Sequence, residues 1–333
     1  MKKILLLAMG GTIASEISEE GLKPEFSPEQ LLAFVPEISE FSEVDTMTLF
    51  SIDSTNATPD HSIACAKAIQ DNYDDYDGFV ISHGTDTLAY TAANLSYLIQ
   101  GARKPIILTG AQKPIHFDNT DSKINLYDAL LVASSDTITG VNIVFNGSVI
   151  LGTRARKTRS KHFNAFASIN YPIVASVQDK FLTTYITSEY YDTPKFYTEL
   201  NQNVALIKLA PVADTRLLRM ALANYDAVVV ESFGVGGLPN YPNDPLNKAL
   251  DQFLSDGKYL IMTTQVTFDG SDIGIYNVGH QLKQKTNTLE AYDMTTESAL
   301  AKIMWVLAQT NDSAEVTRLF YTPVSNDFFP HEA

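Results

Sequence analysis

The chain has 333 residues, and its 24 Lys and Arg against 39 Asp and Glu give a formal net charge of −15. Apolar residues make up 45% of the chain, which excludes an intrinsically disordered protein because enough apolar surface is present to offset the entropy of ordering. The acidic excess argues against nucleic acid and anionic membrane surfaces as partners, since both are bound through clustered Lys and Arg.

The cysteine count and the N-terminal residues indicate the cellular compartment of the protein. Cys65 is the single cysteine, so no intrachain disulfide can form, as is usual in a reducing compartment. The apolar run 4–9 is shorter than the roughly 7–15 residues of a signal-peptide core, and we expect it to form a buried first strand. No stretch reaches the roughly 18 apolar residues of a membrane span. We therefore expect a cytoplasmic protein without a membrane partner.

Short apolar runs alternate with helical patterns along the first half of the chain. Such runs are typical of parallel strands that are buried on both faces. Asn146-Gly147 predicts a hairpin turn, because both positions tolerate positive φ. We predict strands over 4–9, 78–82, 105–108, 141–145 and 149–151, and helices over 59–72, 87–100 and 124–134. This order predicts the α/β class, with a doubly wound, mostly parallel sheet and a β-hairpin.

A second series of strands and helices follows a polar segment that contains Pro194. We predict strands over 204–209, 227–230 and 259–263, and helices over 247–254 and 296–309. We expect a larger N-terminal α/β domain over residues 1–190 and a linker over 191–203. A smaller C-terminal α/β domain, a parallel sheet with flanking helices, is expected over 204–333.

Two segments rich in hydroxyl groups follow predicted strands, beyond whose carboxyl ends open α/β sheets bind ligands. In Gly10-Gly11-Thr12-Ile13-Ala14-Ser15 the glycines let the backbone approach a ligand and present the Thr12 hydroxyl. A Gly-rich turn with a local hydroxyl hydrogen bond is an equal alternative. The other segment, Ser82-His83-Gly84-Thr85-Asp86-Thr87, opens a helix. Thr85 or Asp86 can serve there as an N-cap alone, although free amides at a helix start also favour a bound carboxylate.

Two further polar segments are ambiguous. Asp53-Ser54-Thr55-Asn56 follows an apolar stretch and is also typical of an ordinary turn. The basic segment 153–161 is also typical of a solvated charged loop. A lysine from that segment, held near Thr85 and Asp86, can be desolvated, have its pKa lowered and act as a base toward a threonine hydroxyl. The six histidines have no metal-ligand spacing, so we expect no metal site.

At these residues the chain resembles the bacterial-type L-asparaginases, in particular their cytoplasmic type I branch. Two family signatures carry the resemblance, and supporting segments follow in family order. The signatures are Gly10-Gly11-Thr12-Ile13-Ala14-Ser15 and His83-Gly84-Thr85-Asp86-Thr87-Leu88-Ala89-Tyr90-Thr91. The supporting segments are 53–56, Leu108-Thr109-Gly110-Ala111-Gln112, Gly152-Thr153-Arg154-Ala155-Arg156-Lys157, 163–166 and 231–237.

The resemblance implies hydrolysis of L-asparagine to L-aspartate and ammonia, without a metal or cofactor. Thr12 matches the family's nucleophile, which forms a β-aspartyl ester that water then cleaves. Thr85, Asp86 and Lys157 match a second triad of hydroxyl, carboxylate and base. These four residues are our predicted catalytic residues.

The resemblance also implies a substrate site. Asp53, Ser54 and Thr55 match the strip that holds the α-carboxylate and α-amine. Asp86 would also pair with the substrate ammonium, and the Thr85 amide is a candidate oxyanion donor. The glycines of the two signatures, Gly11 and Gly84, complete the predicted substrate-binding residues. Assembly as a homo-oligomer, either a dimer or a dimer of dimers, is implied as well.

One departure from the family pattern concerns the segment after Thr12. Many members carry a tyrosine there, close to the nucleophile, whereas this chain has Leu22 at that position. The group that activates Thr12 therefore stays open: the Lys157 triad or a tyrosine from elsewhere. The segment 15–23 is polar, carries Glu16, Glu19 and Glu20 and approaches Gly21. We predict that it forms a lid over the substrate.

Three alternatives to a strict asparaginase remain from the sequence. A glutaminase-asparaginase of relaxed specificity is one, since a single methylene is worth only about 1–3 kcal/mol in a pocket. An amidotransferase subunit that acts with tRNA is another, and the net charge of −15 speaks against it. A non-catalytic amino-acid sensor is the third, and only Leu22 favours it.

Overall fold

A computed structural model of the protein describes residues 1–18, 21–24, 26–241, 243–275 and 277–330. The chain divides into two compact units, Met1–Thr198 and Glu199–Ala333. Both units are α/β structures with largely parallel sheets, so the predicted fold class is confirmed. Among the helices that the structure describes, none combines the length and apolar character needed to span a bilayer.

The first unit contains an eight-stranded sheet and, in the described part of the chain, three two-stranded sheets. Its strands are β1 (Lys2–Gly10), β2 (Ser15–Ser18), β3 (Gly21–Pro24), β4 (Ser42–Ile52), β5 (Gly78–Ser82), β6 (Ile99–Gln100), β7 (Pro105–Thr109), β8 (Gly140–Phe145), β9 (Ser148–Leu151), β10 (Ala155–Lys157), β11 (Phe166–Ser168), β12 (Ala175–Gln178), β13 (Phe181–Thr184) and β14 (Lys195–Phe196). Its helices are α1 (Pro28–Leu32), α2 (Pro59–Asp71), α3 (Leu88–Leu98) and α4 (Ser122–Ala133).

The order of the large sheet is β13-β12-β9-β8-β7-β5-β1-β4. The five strands from β8 to β4 run parallel, and β9, β12 and β13 add antiparallel pairs. β1, β5 and β7 are almost wholly buried, as expected of continuous apolar runs with helices on both faces. The predicted hairpin joins β8 and β9, with positive φ at Asn146 and Gly147.

Some predicted boundaries of the first unit were wrong. The helix predicted over 87–100 ends at Leu98, and Ile99–Gln100 instead pairs with β14. The structure also has strand β4, which the sequence analysis treated only as an apolar stretch. β4 pairs with one neighbour, β1, and has mostly part-exposed side chains, so its sequence mixes apolar and polar residues and lacks the continuous apolar run of the inner strands.

The second unit contains a four-stranded parallel sheet in the order β15 (Val204–Lys208), β16 (Ala227–Ser232), β17 (Tyr259–Thr264) and β18 (Thr288–Glu290). Its helices are α5 (Arg216–Asn224), α6 (Leu246–Ser255), α7 (Asn277–Lys283), α8 (Thr296–Gln309) and α9 (Ser313–Phe320). Apolar side chains of α5 and α6 pack with those of β16 and β17. α8 contacts three of the strands and is buried along most of its length.

The domain bounds 1–190 and 204–333 stay a prediction. The observed division falls after Thr198. Within the segment assigned to a linker, Lys195–Phe196 forms β14 and pairs with β6 of the first unit.

Candidate active site

The segments singled out in the sequence follow neighbouring strands of the large sheet. Ala8 of β1 is in register with Ser82 of β5, and Ser82 is in register with Thr109 of β7. On the other side of β1, Gly10 is in register with Ile52 of β4. Since these strands are parallel, the loops that follow β4, β1, β5 and β7 all emerge at the same edge.

Two glycines allow three of these loops to touch. Gly11 has φ +85°, and a Cβ built on it would lie 2.3 Å from the Gly84 nitrogen. A Cβ on Gly84 would lie 2.6 Å from the Ser54 hydroxyl oxygen. Any larger side chain would force the loops apart, so glycine is required at both positions. Thr12 and Thr85, which directly follow these glycines, are thereby brought to the same place.

These loops enclose a small cavity. It is lined by Gly11, Thr12, Ser15, Asp53, Ser54, Gly84, Thr85 and Asp86. Seven of these eight were predicted as site residues, and Ser15 is the addition; its hydroxyl donates a hydrogen bond to the Gly11 carbonyl at 3.0 Å. Lys157 and Thr55, which were also predicted, do not line the cavity.

Lys157 does not line the cavity but contacts two residues that do. Its Nζ donates to Thr85 Oγ1 at 2.8 Å and to Asp86 Oδ1 at 2.7 Å. The Lys157 side chain is 17% exposed and that of Asp86 is 59% exposed. The predicted amine therefore contacts both the hydroxyl and the carboxylate through hydrogen bonds, and the carboxylate is open to solvent.

Lys157 is positioned by a short antiparallel hairpin. It is the last residue of β10 and is in register with Phe166 of β11. The Thr158 amide continues the pairing by donating to the Ala165 carbonyl at 2.8 Å. At the start of this hairpin, the fully buried Arg154 lies with its guanidinium 5.4 Å from the centre of the Tyr171 ring.

The loop after β4 connects the strip 53–55 to the Thr85 loop. The Ser54 hydroxyl accepts from the Asp86 amide at 3.3 Å, and the Ser54 carbonyl accepts from the Thr87 hydroxyl at 2.7 Å. Asp53 Oδ1 accepts from both the amide and the hydroxyl of Thr55, each at 2.8 Å. The exposed Thr55 thus orients Asp53 and does not reach the cavity itself.

His83 supports the Thr85 loop from the protein interior. Its Nδ1 lies 2.7 Å from the Gly84 carbonyl and its Nε2 lies 3.0 Å from the Thr91 hydroxyl. Because a carbonyl only accepts, Nδ1 carries the hydrogen and Nε2 accepts from Thr91 in the neutral ring. Burial lowers the pKa of His83 to about 4, so the ring is neutral near pH 7 and serves as a fixed hydrogen-bonding group.

Gln112, in the loop after β7, appears in the sequence only as the last residue of a supporting family segment and was given no role there. Its Oε1 accepts from the Thr85 hydroxyl at 3.3 Å, and its Nε2 donates to the His162 carbonyl at 3.1 Å. The available signal was its position, a polar residue after a strand at the same edge of the sheet as the other loops.

The predicted lid is only partly described. β2 and β3 form an antiparallel pair after the Thr12 turn, with Ile17 in register with Leu22. Glu19 and Glu20 lie outside the described residues, as do the side chains of residues 16–25. The lid, and the consequence of Leu22 for the site, therefore stay predictions.

A metal centre would need several ligating side chains close together. Within the described ranges, no group of three or more His, Cys, Asp or Glu side chains is arranged to hold a metal ion.

Comparison with known proteins identifies the family. The protein-family model for the N-terminal domain of asparaginase matches residues 3–189. The family model for the glutaminase/asparaginase C-terminal domain matches residues 203–320. The chain is 35% identical over 327 residues to an L-asparaginase of Thermococcus kodakarensis, covering 98% of each chain. A solved structure of the thermostable L-asparaginase from that organism aligns with a TM-score of 0.92, at 34% identity, over 99% of this chain and all of that one.

Two further relatives broaden the comparison. The structure of L-asparaginase I from Vibrio cholerae aligns with a TM-score of 0.85, at 29% identity, over 99% of both chains. A glutamyl-tRNA(Gln) amidotransferase subunit of Metallosphaera sedula is 31% identical over 346 residues, which cover 99% of this chain and 78% of that protein. With both family models matched along most of its length, the chain belongs to the asparaginase family.

Proposed function

We propose that the protein hydrolyses L-asparagine to L-aspartate and ammonia through an acyl-enzyme on Thr12. The observation that carries the proposal is the contact of Lys157 with Thr85 and Asp86, both of which line the same cavity as Thr12. A hydroxyl nucleophile needs a base and a donor for the oxyanion within a few ångströms. The substrate named for the asparaginases among its relatives supports the same reaction.

In the acylation step, Thr12 Oγ1 attacks the side-chain amide carbon of asparagine. A C–O bond forms, the carbonyl becomes an oxyanion, and the Thr85 amide is the candidate donor that stabilises it. Collapse of this intermediate breaks the C–N bond, and the nitrogen leaves as ammonia with the proton from Thr12. The product of the step is a β-aspartyl ester of Thr12.

In the second step, water attacks the ester carbonyl and the bond to Thr12 Oγ1 breaks, with a proton returned to that oxygen. Lys157, oriented by Asp86 at 2.7 Å, exchanges protons with Thr85 or with the attacking water. Asp53, Ser54 and Asp86 all line the cavity. The two carboxylates suit the α-amine of the substrate, and the Ser54 hydroxyl suits its α-carboxylate. The reaction as written requires no metal or cofactor.

The test is ammonia release by the purified protein, native and with Thr12→Val. Thr137→Val is the matched control, since Thr137 is an exposed threonine at a distance from the cavity, whose hydroxyl contacts Ser135 and Thr184. We expect activity in the native protein and the control, and a loss of at least about 10⁴-fold in Thr12→Val. Full activity of Thr12→Val would remove Thr12 from its role, and tight asparagine binding by an inactive native protein would favour a sensor.

A second candidate function is an amidase of relaxed specificity, with glutamine accepted as well. The match of residues 203–320 to the glutaminase/asparaginase C-terminal domain favours it, because that description names glutaminases beside asparaginases. L-Asparagine and L-glutamine compared as competing substrates give the ratio of kcat/KM. A ratio well above about 100 in favour of asparagine would exceed what one methylene usually contributes and would argue against relaxed specificity.

We also propose that the protein belongs to the cytoplasmic type I branch and works as a dimer or a dimer of dimers. The similarity to L-asparaginase I of Vibrio cholerae supports the branch. Leu217 and Met220 support assembly, since both apolar side chains are more than 60% exposed on α5 and such patches often mark contacts between chains. Light scattering of the purified protein measures the assembly, and a monomer at micromolar concentration would contradict it.

A further inference from the structure

We infer that Gln112 is a positioning residue for the reaction, which holds the Thr85 hydroxyl in one orientation and joins the Thr85 loop to the hairpin that carries Lys157. The inference rests on the proposed function, since it assigns a role within the same site. It adds a residue that does not line the cavity and that neither of the two hydroxyl-bearing signatures includes.

Gln112 and Lys157 both contact one oxygen atom, the hydroxyl oxygen of Thr85. Lys157 Nζ donates to Thr85 Oγ1 at 2.8 Å, and Thr85 Oγ1 donates to Gln112 Oε1 at 3.3 Å. A lysine ammonium can only donate and a carbonyl oxygen can only accept. While Lys157 is an ammonium, both hydrogen bonds therefore have a fixed direction and the Thr85 hydrogen points toward Gln112. Thr85 can pass a proton to Lys157 only when the amine is neutral.

The contact with His162 fixes the orientation of the Gln112 amide. Its Nε2 lies 3.1 Å from the His162 carbonyl, which requires a donor. The nitrogen must therefore face His162, and the oxygen must face Thr85. Since His162 follows Lys157 by a few residues in the loop of the same hairpin, one side chain bridges the two halves of the proposed catalytic group.

The backbone of the loop after β7, which carries Gln112, is also held in place. The amides of Gln112 and Lys113 both donate to the buried carboxylate of Asp121, at 2.9–3.1 Å. Asn125 donates to the Gly110 carbonyl at 2.9 Å and to Asp121 at 3.2 Å. Side chains from the start of α4 thus hold the loop from both ends, which leaves the Gln112 side chain little freedom.

The consequence for catalysis is a rate effect more than a binding effect. Without Gln112, the Thr85 hydroxyl can rotate, and the hairpin loses a link to the Thr85 loop. Misplacement of a reacting group by about 1 Å can cost about 10²-fold in rate. Because Gln112 does not line the cavity, the affinity for substrate should change little.

The test uses Gln112→Leu and Gln112→Glu, with Gln70→Leu on the exposed face of α2 as the control. In Gln112→Leu, which removes both hydrogen bonds, we expect kcat to fall by about 10- to 100-fold and KM to stay within about threefold. Gln70→Leu should match the native enzyme. Native kcat in Gln112→Leu, or a rise in KM that accounts for the whole loss, would overturn the inference.

Gln112→Glu separates positioning from a merely structural role. The carboxylate still accepts from Thr85, but it places a negative charge within about 3.3 Å of the oxygen that Lys157 contacts. The variant also loses the donor to the His162 carbonyl, so we expect kcat to lie above that of Gln112→Leu while KM stays native. Steady-state kinetics measures this partial rescue, and a kcat no higher than that of Gln112→Leu would overturn the inference.

Failure of the proposed function and failure of the role of Gln112 give different results. A native protein that releases no ammonia from asparagine overturns the proposed function, whatever the variants do. An active native enzyme with an equally active Gln112→Leu variant overturns only the role of Gln112.

Discussion

Two of the Lys–Asp pairs in the described part of the chain have nearly the same geometry and very different surroundings. Lys157 lies 2.7 Å from Asp86 at the proposed active site, and Lys302 lies 2.6 Å from Asp327 in the second unit. The Asp86 side chain is 59% exposed, whereas both members of the second pair are fully buried. The environment of each pair, more than its geometry, decides what the pair can do.

The buried pair has the contacts expected of a structural element. Lys302 also donates to the Thr322 carbonyl at 2.9 Å, and its Nζ lies 4.7 Å from the centre of the Phe328 ring. Asp327 accepts from the Val324 amide at 2.9 Å. Burial lowers the pKa of Lys302, and its pairing with Asp327 opposes that shift. The pair links the C-terminal segment to α8, and both side chains are fully buried.

The pair at the proposed active site differs because its carboxylate is open to water and its amine also contacts a hydroxyl. Asp86 can pair with a substrate ammonium while it holds Lys157, and Lys157 reaches the Thr85 oxygen. An exposed ion pair contributes only about 0–1 kcal/mol to stability. The comparison therefore separates the two pairs by function: one is expected to matter for rate and the other for folding.

The largest expected effect is on the rate of the Lys157→Met variant. Removing a positioned base should lower kcat by about 10²- to 10⁴-fold, while the free energy of unfolding changes by less than about 1 kcal/mol. Ammonia release and urea denaturation measure the two quantities. Lys67→Met is the control, since Lys67 forms an exposed pair with Asp71. If Lys157→Met instead lost stability and kept its rate, the assignment of the two pairs would be reversed.

The second effect is on the stability of the second unit in Lys302→Ala. This variant leaves Asp327 buried without its cation, which typically costs about 3–5 kcal/mol. Fluorescence of Trp305 follows the unfolding, because the single tryptophan of the chain lies on α8, buried and three residues from Lys302. We expect the urea midpoint to fall sharply.

Lys302→Met with Asp327→Leu provides the internal check on that result. Replacing both charges with apolar side chains of similar size is often neutral or stabilising, so the double variant should recover most of the lost stability. A double variant as unstable as Lys302→Ala would mean that the pair contributes more than the removal of an uncompensated charge explains.

A smaller effect is the contribution of His83 to the pH dependence of the free energy of unfolding. The pKa of His83 is about 4 in the folded protein against 6.5 for an ordinary histidine. The unfolded chain therefore takes up a proton first, so the contribution of His83 to stability is complete above pH 6.5 and declines as the pH falls toward 4. Between about pH 7 and pH 4.5 the native protein should lose about 2 kcal/mol more than His83→Gln. Parallel stability curves for the two proteins would contradict the burial of a neutral ring.

The smallest effect is expected for Thr55→Val. Thr55 holds Asp53 through its hydroxyl at 2.8 Å but does not line the cavity. The loss of one hydrogen bond of about 1 kcal/mol should raise KM by about fivefold, with kcat unchanged. Steady-state kinetics with asparagine measures both, and a large fall in kcat would mean that Thr55 acts in the chemistry itself.

The sequence predicts the parts of this molecule that depend on local pattern. β5 and α8 have the predicted bounds because a continuous apolar run or a helical period marks them directly. Strand β4 was missed because most of its side chains are partly buried at the edge of the sheet, so its sequence has neither a continuous apolar run nor a regular alternation. The fold class follows from the alternation of such elements and does not require every strand.

The site was predictable only in part. Thr12 and Thr85 stand out because each directly follows a glycine after a strand, and the family resemblance adds Lys157. Gln112 could not be identified in the same way. Its role depends on which loop its amide meets, and the contacts that orient it come from the Thr85 loop and from the hairpin after β10. Contacts between segments distant in sequence leave no local pattern.

The central claim, that Thr12 forms the acyl-enzyme, is tested most directly by trapping that intermediate. The native enzyme is quenched in acid during turnover of L-asparagine, digested, and examined by peptide mass spectrometry, with Thr12→Val as the control. The account predicts that the peptide carrying Thr12 gains one β-aspartyl group in the native enzyme and none in the variant. The same adduct on the peptide that carries Thr85, with the Thr12 peptide unmodified, would contradict it.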